Sequence, residues 1–156
     1  MLTKKTSAHA SSAAGLRFGV VAAQYNRKLA DALLTNCLDT LGQAGAETAD
    51  VKVVRVPGSF EISGAAGRLA KSGQYDCIIA LGVLLQGQTQ HAAHIGAAVA
   101  HGLTQIAVQT GVPTIFGVVT ANTEKQARVR CLSRTYNRGR EAALTAVEMA
   151  QLCKNL

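Results

Sequence analysis

Residues 75–91 read YDCIIALGVLLQGQTQH, and the rest of the chain is arranged around this segment. Its first half contains the apolar run Cys77–Leu81, which is typical of a strand buried on both faces of a parallel sheet. Its second half is rich in glycine and carries the polar side chains of Gln88, Thr89 and His91. Open α/β sheets bind their ligands beyond the carboxyl ends of the strands, so this segment predicts both a central strand and a ligand site.

A helix is predicted directly after this segment, because residues 90–103 are rich in alanine and contain no proline. The first backbone N–H groups of that helix, with the side chains of Gln88 and Thr89, are expected to form an anion cradle. His91 would stand at the rim of the cradle. Histidine changes charge near neutral pH, so His91 is a candidate for proton transfer, with a histidine of no catalytic role as the alternative.

Three further runs of apolar and β-branched residues alternate with helical segments. The predicted strands are 16–22, 51–56, 77–81 and 114–120, and the predicted helices begin near Asn26, Ser59, Gln90, Thr123 and Asn137. This alternation predicts an α/β fold, a three-layer αβα sandwich around a four-stranded parallel sheet. The flavodoxin-like strand order 2-1-3-4 would bring residues 23–26 beside residues 82–89 at the topological switch point.

The 156 residues fit a single domain over residues 15–156, preceded by a flexible tail over residues 1–14. The tail is rich in Ser, Ala and Lys and lacks the apolar core of a secretory signal, with a remnant of an organelle transit peptide as the alternative. No apolar run approaches the roughly 20 residues that a membrane span needs. We therefore expect a cytoplasmic protein with no membrane partner.

The net charge of +7, from 16 Lys plus Arg against 9 Asp plus Glu, is compatible with nucleic acid, a membrane surface or anionic small molecules as partners. The arginines cluster late in the chain without interleaved aromatic residues, so a phosphorylated substrate is favoured over nucleic acid. The four cysteines show no metal-binding spacing and are interpreted as reduced thiols. We expect neither a metal ion nor an organic cofactor.

Tyr25 and Glu61 are candidates for contacts with a ligand. Tyr25 ends the first strand at the expected crevice, where its ring would stack on a planar heterocycle or simply cover the edge of the sheet. Glu61 lies in the first turn of a predicted helix, where it would complement the helix dipole or accept hydrogen bonds from a polyol.

Two other groups of side chains have both a functional and an ordinary interpretation. Arg130 and Arg134 are four residues apart on one helix face, and their guanidinium groups suit a phosphate or are solvated at the surface. His94 and His101 follow His91 on the same helix. Two histidines three residues apart are a poor zinc signal without a third ligand, so we interpret His94 and His101 as ordinary residues.

Six segments make the pattern specific when they are taken together and in order. They are AAQYN (22–26), VPGSFEI (56–62), ALGVLLQGQTQH (80–91), PTIFGVVT (113–120), EKQARVR (124–130) and NRGREAALTAVEMA (137–150). By these segments, which cover most of the chain after the tail, the sequence resembles the 6,7-dimethyl-8-ribityllumazine synthase family of riboflavin biosynthesis.

The resemblance implies a transferase that condenses 5-amino-6-(D-ribitylamino)uracil with 3,4-dihydroxy-2-butanone 4-phosphate, releasing phosphate and water without a cofactor. It also implies a role for each matching residue. Tyr25 stacks on the pyrimidine; Ser59, Phe60 and Glu61 hold the ribityl chain; Val83, Leu84 and Leu85 bind the pyrimidine edge; Gln88, Thr89 and Arg130 take the phosphate; His91 shuttles protons; and Phe116 comes from a neighbouring subunit.

The chain departs from the family pattern after the histidine. The family usually has an aromatic residue and then an acid there, whereas this chain has Ala92, Ala93 and His94. Gln86 stands where Arg or Lys is common, and Gln88 where a small or acidic residue is more usual. A non-catalytic relative that binds lumazines or flavins, or that forms a shell, is therefore the alternative to an active enzyme.

The resemblance implies a homo-oligomer with active sites between subunits, and riboflavin synthase as a candidate protein partner. Family members form pentamers, and some stack as decamers or close into sixty-subunit icosahedral shells. The absence of an insertion in residues 130–139 favours a shell. Thr135 and Tyr136 replace a small Ala-Gly pair that is frequent in shell-forming relatives, which favours an isolated pentamer.

Overall fold

The computed structural model describes residues 11–156, and within this range the chain alternates strands and helices. The strands are β1 (Phe18–Ala23), β2 (Val51–Val56), β3 (Cys77–Leu85) and β4 (Thr114–Ala121). The α-helices are α1 (Arg27–Gln43), α2 (Ile62–Lys71), α3 (His91–Thr110), α4 (Glu124–Leu132) and α5 (Arg138–Lys154), with single 3-10 turns at Thr48–Asp50 and Ser59–Glu61.

The sheet is parallel throughout and has the order β2-β1-β3-β4, which confirms the predicted fold class and strand order. β1 pairs with β2 on one side and with β3 on the other, so that Phe18 lies between Val51 and Cys77. The carboxyl ends of β1 and β3 therefore reach the same edge of the sheet, where the switch point was predicted.

Both faces of the sheet are covered, which explains the apolar character of β3. Cys77, Ile79 and Leu81 pack toward α1 and α5, whereas Ile78 and Ala80 pack toward α2 and α3. A strand between two helical layers has no polar face, so its sequence reads as a continuous apolar run. The sheet thus separates two large clusters of the core, and a third, smaller cluster lies among α1, α4 and the ends of β3 and β4.

The helix boundaries follow the sequence signals at α4 and α5. The Thr123 hydroxyl accepts a hydrogen bond from the Gln126 N–H (3.2 Å), and the Asn137 side chain accepts one from the Arg140 N–H (3.1 Å). Each cap satisfies an N–H group that the first turn of a helix leaves without an intrahelical partner.

Two predicted caps differ from the structure. Asn26 is the N-cap residue of α1, as predicted, but its side chain makes no capping bond to that helix. Ser59 does not start an α-helix, because a 3-10 turn at Ser59–Glu61 comes first and α2 begins at Ile62. In both cases a contact with another part of the chain holds the residue.

The predicted tail falls mainly on residues 1–10, which lie outside the described residues. Ala13, assigned to the tail, is buried, and its N–H donates to the Ala44 carbonyl (2.8 Å). These contacts extend the packed domain two residues beyond the predicted boundary at residue 15.

The cysteines of the described range are free thiols, and three of them are buried. Burial raises the pKa of the Cys37 thiol to about 12 and that of Cys131 to about 11. Such thiols stay protonated and unreactive at neutral pH. Within residues 11–156, no helix is both long and apolar enough to span a bilayer, and no group of three or more His, Cys, Asp or Glu side chains is arranged to hold a metal ion.

Candidate active site

A cavity of about 720 Å³ opens at the carboxyl edge of the sheet, where β1 and β3 end side by side. Its walls come from the loops after β1 and β2, the end of β3 and the start of α3. The lining residues are Tyr25, Asn26, Gly58, Ser59, Phe60, Glu61, Val83, Leu84, Leu85, Gly87, Thr89, His91, Ala92, His94 and Ile95. The cavity thus occupies the switch point that the strand order predicts.

Asn26 ties the loop after β1 to the end of β3. Its backbone is left-handed (φ 56°), a conformation that asparagine tolerates better than most residues. Its side-chain amide donates to the Val83 carbonyl (2.9 Å). This bond fixes the neighbouring Tyr25 at the mouth of the cavity, where the phenol is 72% exposed.

The turn after β2 forms the opposite wall. The Glu61 carboxylate accepts a hydrogen bond from the Gly58 N–H (3.0 Å), which closes the turn on itself. Ser59 is buried against Gly82, where a Cβ atom would overlap the Ser59 hydroxyl oxygen. Glycine at position 82 therefore allows the turn to approach β3 closely.

Phe60 and Tyr25 expose large aromatic surfaces at the cavity. Phe60 is 63% exposed, and with Tyr25 it is among the most exposed large apolar side chains of the described range. Exposed aromatic rings beside a cavity are typical of surfaces that a ligand or another subunit covers.

The loop before α3 carries the polar residues of the opening sequence segment. The Gln86 side-chain amide donates to the Thr89 carbonyl (2.9 Å), and the Thr89 hydroxyl accepts from the His91 N–H at 3.4 Å. α3 begins at His91, so its free N–H groups and its positive dipole end face this loop. The arrangement suits an anion, as the sequence indicated.

The cavity has few ionisable lining residues. Its ionisable lining residues are Tyr25, Glu61, His91 and His94, and no lysine or arginine lines it. Positive charge inside this chain's own cavity can therefore come only from the two imidazoles and the helix dipole.

Arg130 lies away from the cavity, in an ion-pair cluster that also contacts the main chain at Phe116. The Arg130 guanidinium makes a bidentate ion pair with Glu141, with Nη1–Oε1 at 3.3 Å and Nη2–Oε2 at 2.7 Å. Arg138 donates to the same Glu141 carboxylate (3.3 Å) and to the Phe116 carbonyl (2.7 Å). Glu141 therefore joins Arg130 to Arg138, which in turn contacts the main chain of β4 at Phe116, whereas Phe116 itself packs against the core on the side of α2 and α3.

The electrostatics of this cluster favour its ionised form. Partial burial raises the pKa of Glu141, but the hydrogen bonds and charges of Arg130 and Arg138 outweigh that effect and hold the pKa below its ordinary value. With two guanidinium groups and one carboxylate, the cluster keeps an excess positive charge.

The cavity brings together nine of the residues predicted from the sequence. They are Tyr25, Ser59, Phe60, Glu61, Val83, Leu84, Leu85, Thr89 and His91. Gln88 belongs to the same loop but does not line the cavity, and neither do Phe116 and Arg130.

Sequence reasoning missed His94 as a cavity residue, and it placed Asn26 at the switch point without foreseeing its hydrogen bond. The bond from Asn26 to Val83 spans 57 positions, so no local pattern predicts this particular pairing. His94 was interpreted as an ordinary residue, although its spacing of three from His91 places both on one helix face.

The chain was compared with known proteins. The family model described as 6,7-dimethyl-8-ribityllumazine synthase matches residues 15–154. A protein of that name from Aquifex aeolicus (strain VF5) is 44% identical over 145 residues, which cover 93% of this chain and 94% of the relative. The chain therefore belongs to the 6,7-dimethyl-8-ribityllumazine synthase family.

Proposed function

We propose that this protein catalyses the lumazine synthase reaction of riboflavin biosynthesis. It would condense 5-amino-6-(D-ribitylamino)uracil with 3,4-dihydroxy-2-butanone 4-phosphate to 6,7-dimethyl-8-ribityllumazine, releasing phosphate and water. The observation that carries the proposal is the cavity at the switch point, which combines exposed aromatic rings, a polar turn and an imidazole at a helix start. A cytoplasmic location stays a prediction.

The uracil substrate would lie between the loop after β1 and the end of β3. Tyr25 would stack on the pyrimidine, and the backbone of Val83, Leu84 and Leu85 would bind its edge, since planar rings pack well on an exposed phenol. The ribityl chain would lie on the turn containing Phe60 and Glu61. That turn supplies a carboxylate and backbone N–H groups to pair with the hydroxyls.

The phosphate would bind at the start of α3. Thr89 contributes its hydroxyl, Gln88 its amide, and the helix its free N–H groups. Arg130 would add a guanidinium fork, which suits the geometry of a phosphate. Because Arg130 does not line the cavity of its own chain, we propose that it serves the cavity of a neighbouring copy, together with Phe116.

The chemistry would need proton transfers but no metal or organic cofactor. The uracil amine attacks the ketone to form an imine, phosphate leaves by elimination, and the ring closes with loss of water. His91 would accept and return protons during these steps. Much of the rate enhancement would come from holding two substrates side by side in one cavity.

A homo-oligomer follows from the division of the site between two clusters. We propose pentamers whose cavities are completed by Phe116 and Arg130 of the adjacent subunit, and shells of sixty subunits as the larger assembly. β4 is an edge strand of the described sheet, and Phe116 on it is only half-buried, so part of this residue is accessible to a neighbour. Riboflavin synthase stays the proposed protein partner.

The first test is to mix the purified protein with both substrates and follow the lumazine by absorbance and fluorescence. We expect product above the uncatalysed background and a loss of turnover in His91→Ala with little loss of stability, because His91 is exposed. His101→Ala, an exposed histidine on the same helix, is the matched control and should behave as the wild type. Background-level product from a folded, ligand-binding wild type would favour the non-catalytic alternative.

A further inference from the structure

The cavity contains a second imidazole that the proposed reaction leaves without a role. His94 lies three residues beyond His91 on α3, and both residues line the cavity. His101 lies about two turns further along and does not line it. The three histidines of α3 thus divide into two that belong to the cavity and one that does not.

The backbone of His94 is held more firmly than the loop that precedes it. Its N–H donates to the Gln90 carbonyl (3.0 Å), so His94 belongs to the first hydrogen-bonded turn of α3. Residues on a rigid helix position a reacting group better than residues on a loop. Both histidines therefore border the cavity from one fixed element.

The charged groups that face His94 are few. The loop after β1 contributes Tyr25, and the turn after β2 contributes Glu61, whose carboxylate already accepts a hydrogen bond from the Gly58 N–H. β3 contributes only apolar residues to the lining, and the first turn of α3 contains no acid. His91 and His94 are therefore the two imidazoles among the residues that line the cavity.

Two imidazoles in one cavity suit a reaction in which protons move at more than one atom of the substrates. We propose that His94 is a second proton-transfer residue, which works with His91 in opposite protonation states. The inference rests on the proposed function. A site with one neutral imidazole and one imidazolium holds a base and an acid at the same time, which a single histidine does not.

The first step to use the pair is the loss of water from the carbinolamine. The His94 imidazolium gives a proton to the hydroxyl, the C–O bond breaks, and the nitrogen electron pair closes the C=N bond. Neutral His91 takes the N–H proton, so the charge passes from one imidazole to the other.

The next step returns both residues to their starting states. Neutral His94 removes the proton from the carbon next to the imine, and the C–H electron pair forms the new C=C bond. The C–O bond to phosphate breaks, the oxygen leaves with its electron pair, and the His91 imidazolium gives that oxygen a proton. No outside oxidant, reductant or proton source is needed.

The test compares His94→Gln with His101→Gln, using the wild type as the reference. Glutamine keeps a polar side chain of similar length but transfers no proton in this range. We expect kcat to fall about 100-fold in His94→Gln, the lower end of what general acid–base catalysis contributes, with little change in KM. In this variant, kcat should no longer decrease at high pH, because the decrease in the wild type reflects loss of the proton from His94. His101→Gln should match the wild type in both.

A second variant separates proton transfer from packing. His94→Ala leaves a space for free imidazole, and imidazole added to the assay should restore part of the lost turnover. An active wild type with unchanged kcat in His94→Gln, or a loss that imidazole does not restore and that leaves the pH profile unchanged, would overturn the role of His94 alone. A wild type that forms no product would overturn the proposed function and this inference with it.

Discussion

Glu141 holds a position in which one carboxylate orients two guanidinium groups. Both of its carboxylate oxygens accept hydrogen bonds from Arg130, and one of them also accepts a hydrogen bond from Arg138. A guanidinium bound at two points loses rotational freedom before any ligand arrives, which reduces the entropy that phosphate binding must overcome. Glu141 is therefore a positioning residue for the phosphate site that we propose for Arg130.

Replacement of Glu141 should weaken the binding of one substrate and leave that of the other unchanged. In Glu141→Gln we expect KM for the butanone phosphate to rise by about tenfold, a loss typical of one charge-assisted contact, while KM for the uracil stays unchanged. Initial rates with each substrate varied in turn provide the measurement. Glu148→Gln removes the same charge from an exposed position of α5 and should have no effect. Equal increases in both KM values would contradict the positioning role.

At the scale of elements, the junction between α4 and α5 depends on Asn137. This side chain is fully buried; it donates to the Cys131 carbonyl (2.7 Å) at the end of α4 and accepts from the Arg140 N–H at the start of α5. Arg138, the first residue of α5, donates a hydrogen bond to the Phe116 carbonyl of β4. One asparagine thus sets the direction of the helix that presents Arg138 and Glu141.

Asn137→Ala should destabilise the fold more than the loss of an exposed cap. It removes a cap and leaves a buried carbonyl without a partner, so we expect a cost of about 2–4 kcal/mol. Thr123→Ala, which removes only the exposed cap of α4, should cost about 1 kcal/mol. Denaturant unfolding at neutral pH measures both. A cost for Asn137→Ala no larger than that for Thr123→Ala would show that the second hydrogen bond contributes nothing.

At the scale of the whole molecule, the proposed site is divided between the cavity and the cluster of Arg130 and Phe116. If each site takes His91 from one subunit and Arg130 from the next, two inactive variants should complement each other. In mixed oligomers of His91→Ala and Arg130→Ala, random 1:1 assembly would leave about a quarter of the sites intact.

Co-expression of the two variants tests this division. We expect turnover at about a quarter of the wild-type level per subunit, far above that of either variant alone. Oligomers assembled separately and then mixed without exchange are the control and should stay inactive. No recovery in co-expressed oligomers of normal size would mean that each chain supplies both residues to its own site.

Much of the architecture was predictable because it depends on local patterns. The apolar run Cys77–Leu81 has no polar face, and this alone marks a strand between two helical layers. The start of α4 after Asn122 or Thr123 and the start of α5 near Asn137 were recognisable because a side-chain acceptor before a helix acts within three residues. The role of Asn26 was not, because its partner Val83 is distant in sequence.

The amino-acid order was thus sufficient for the strands and most of the cavity residues, since periodicity, glycine and caps act over a few residues. The strand order 2-1-3-4, and the switch point with it, was one of the few topologies that right-handed crossovers allow. Only the folded chain put His94 into the cavity, set Ser59 against Gly82 and joined Arg130 to Glu141 away from it. Those contacts depend on how elements far apart in the chain pack, and no local pattern records that packing.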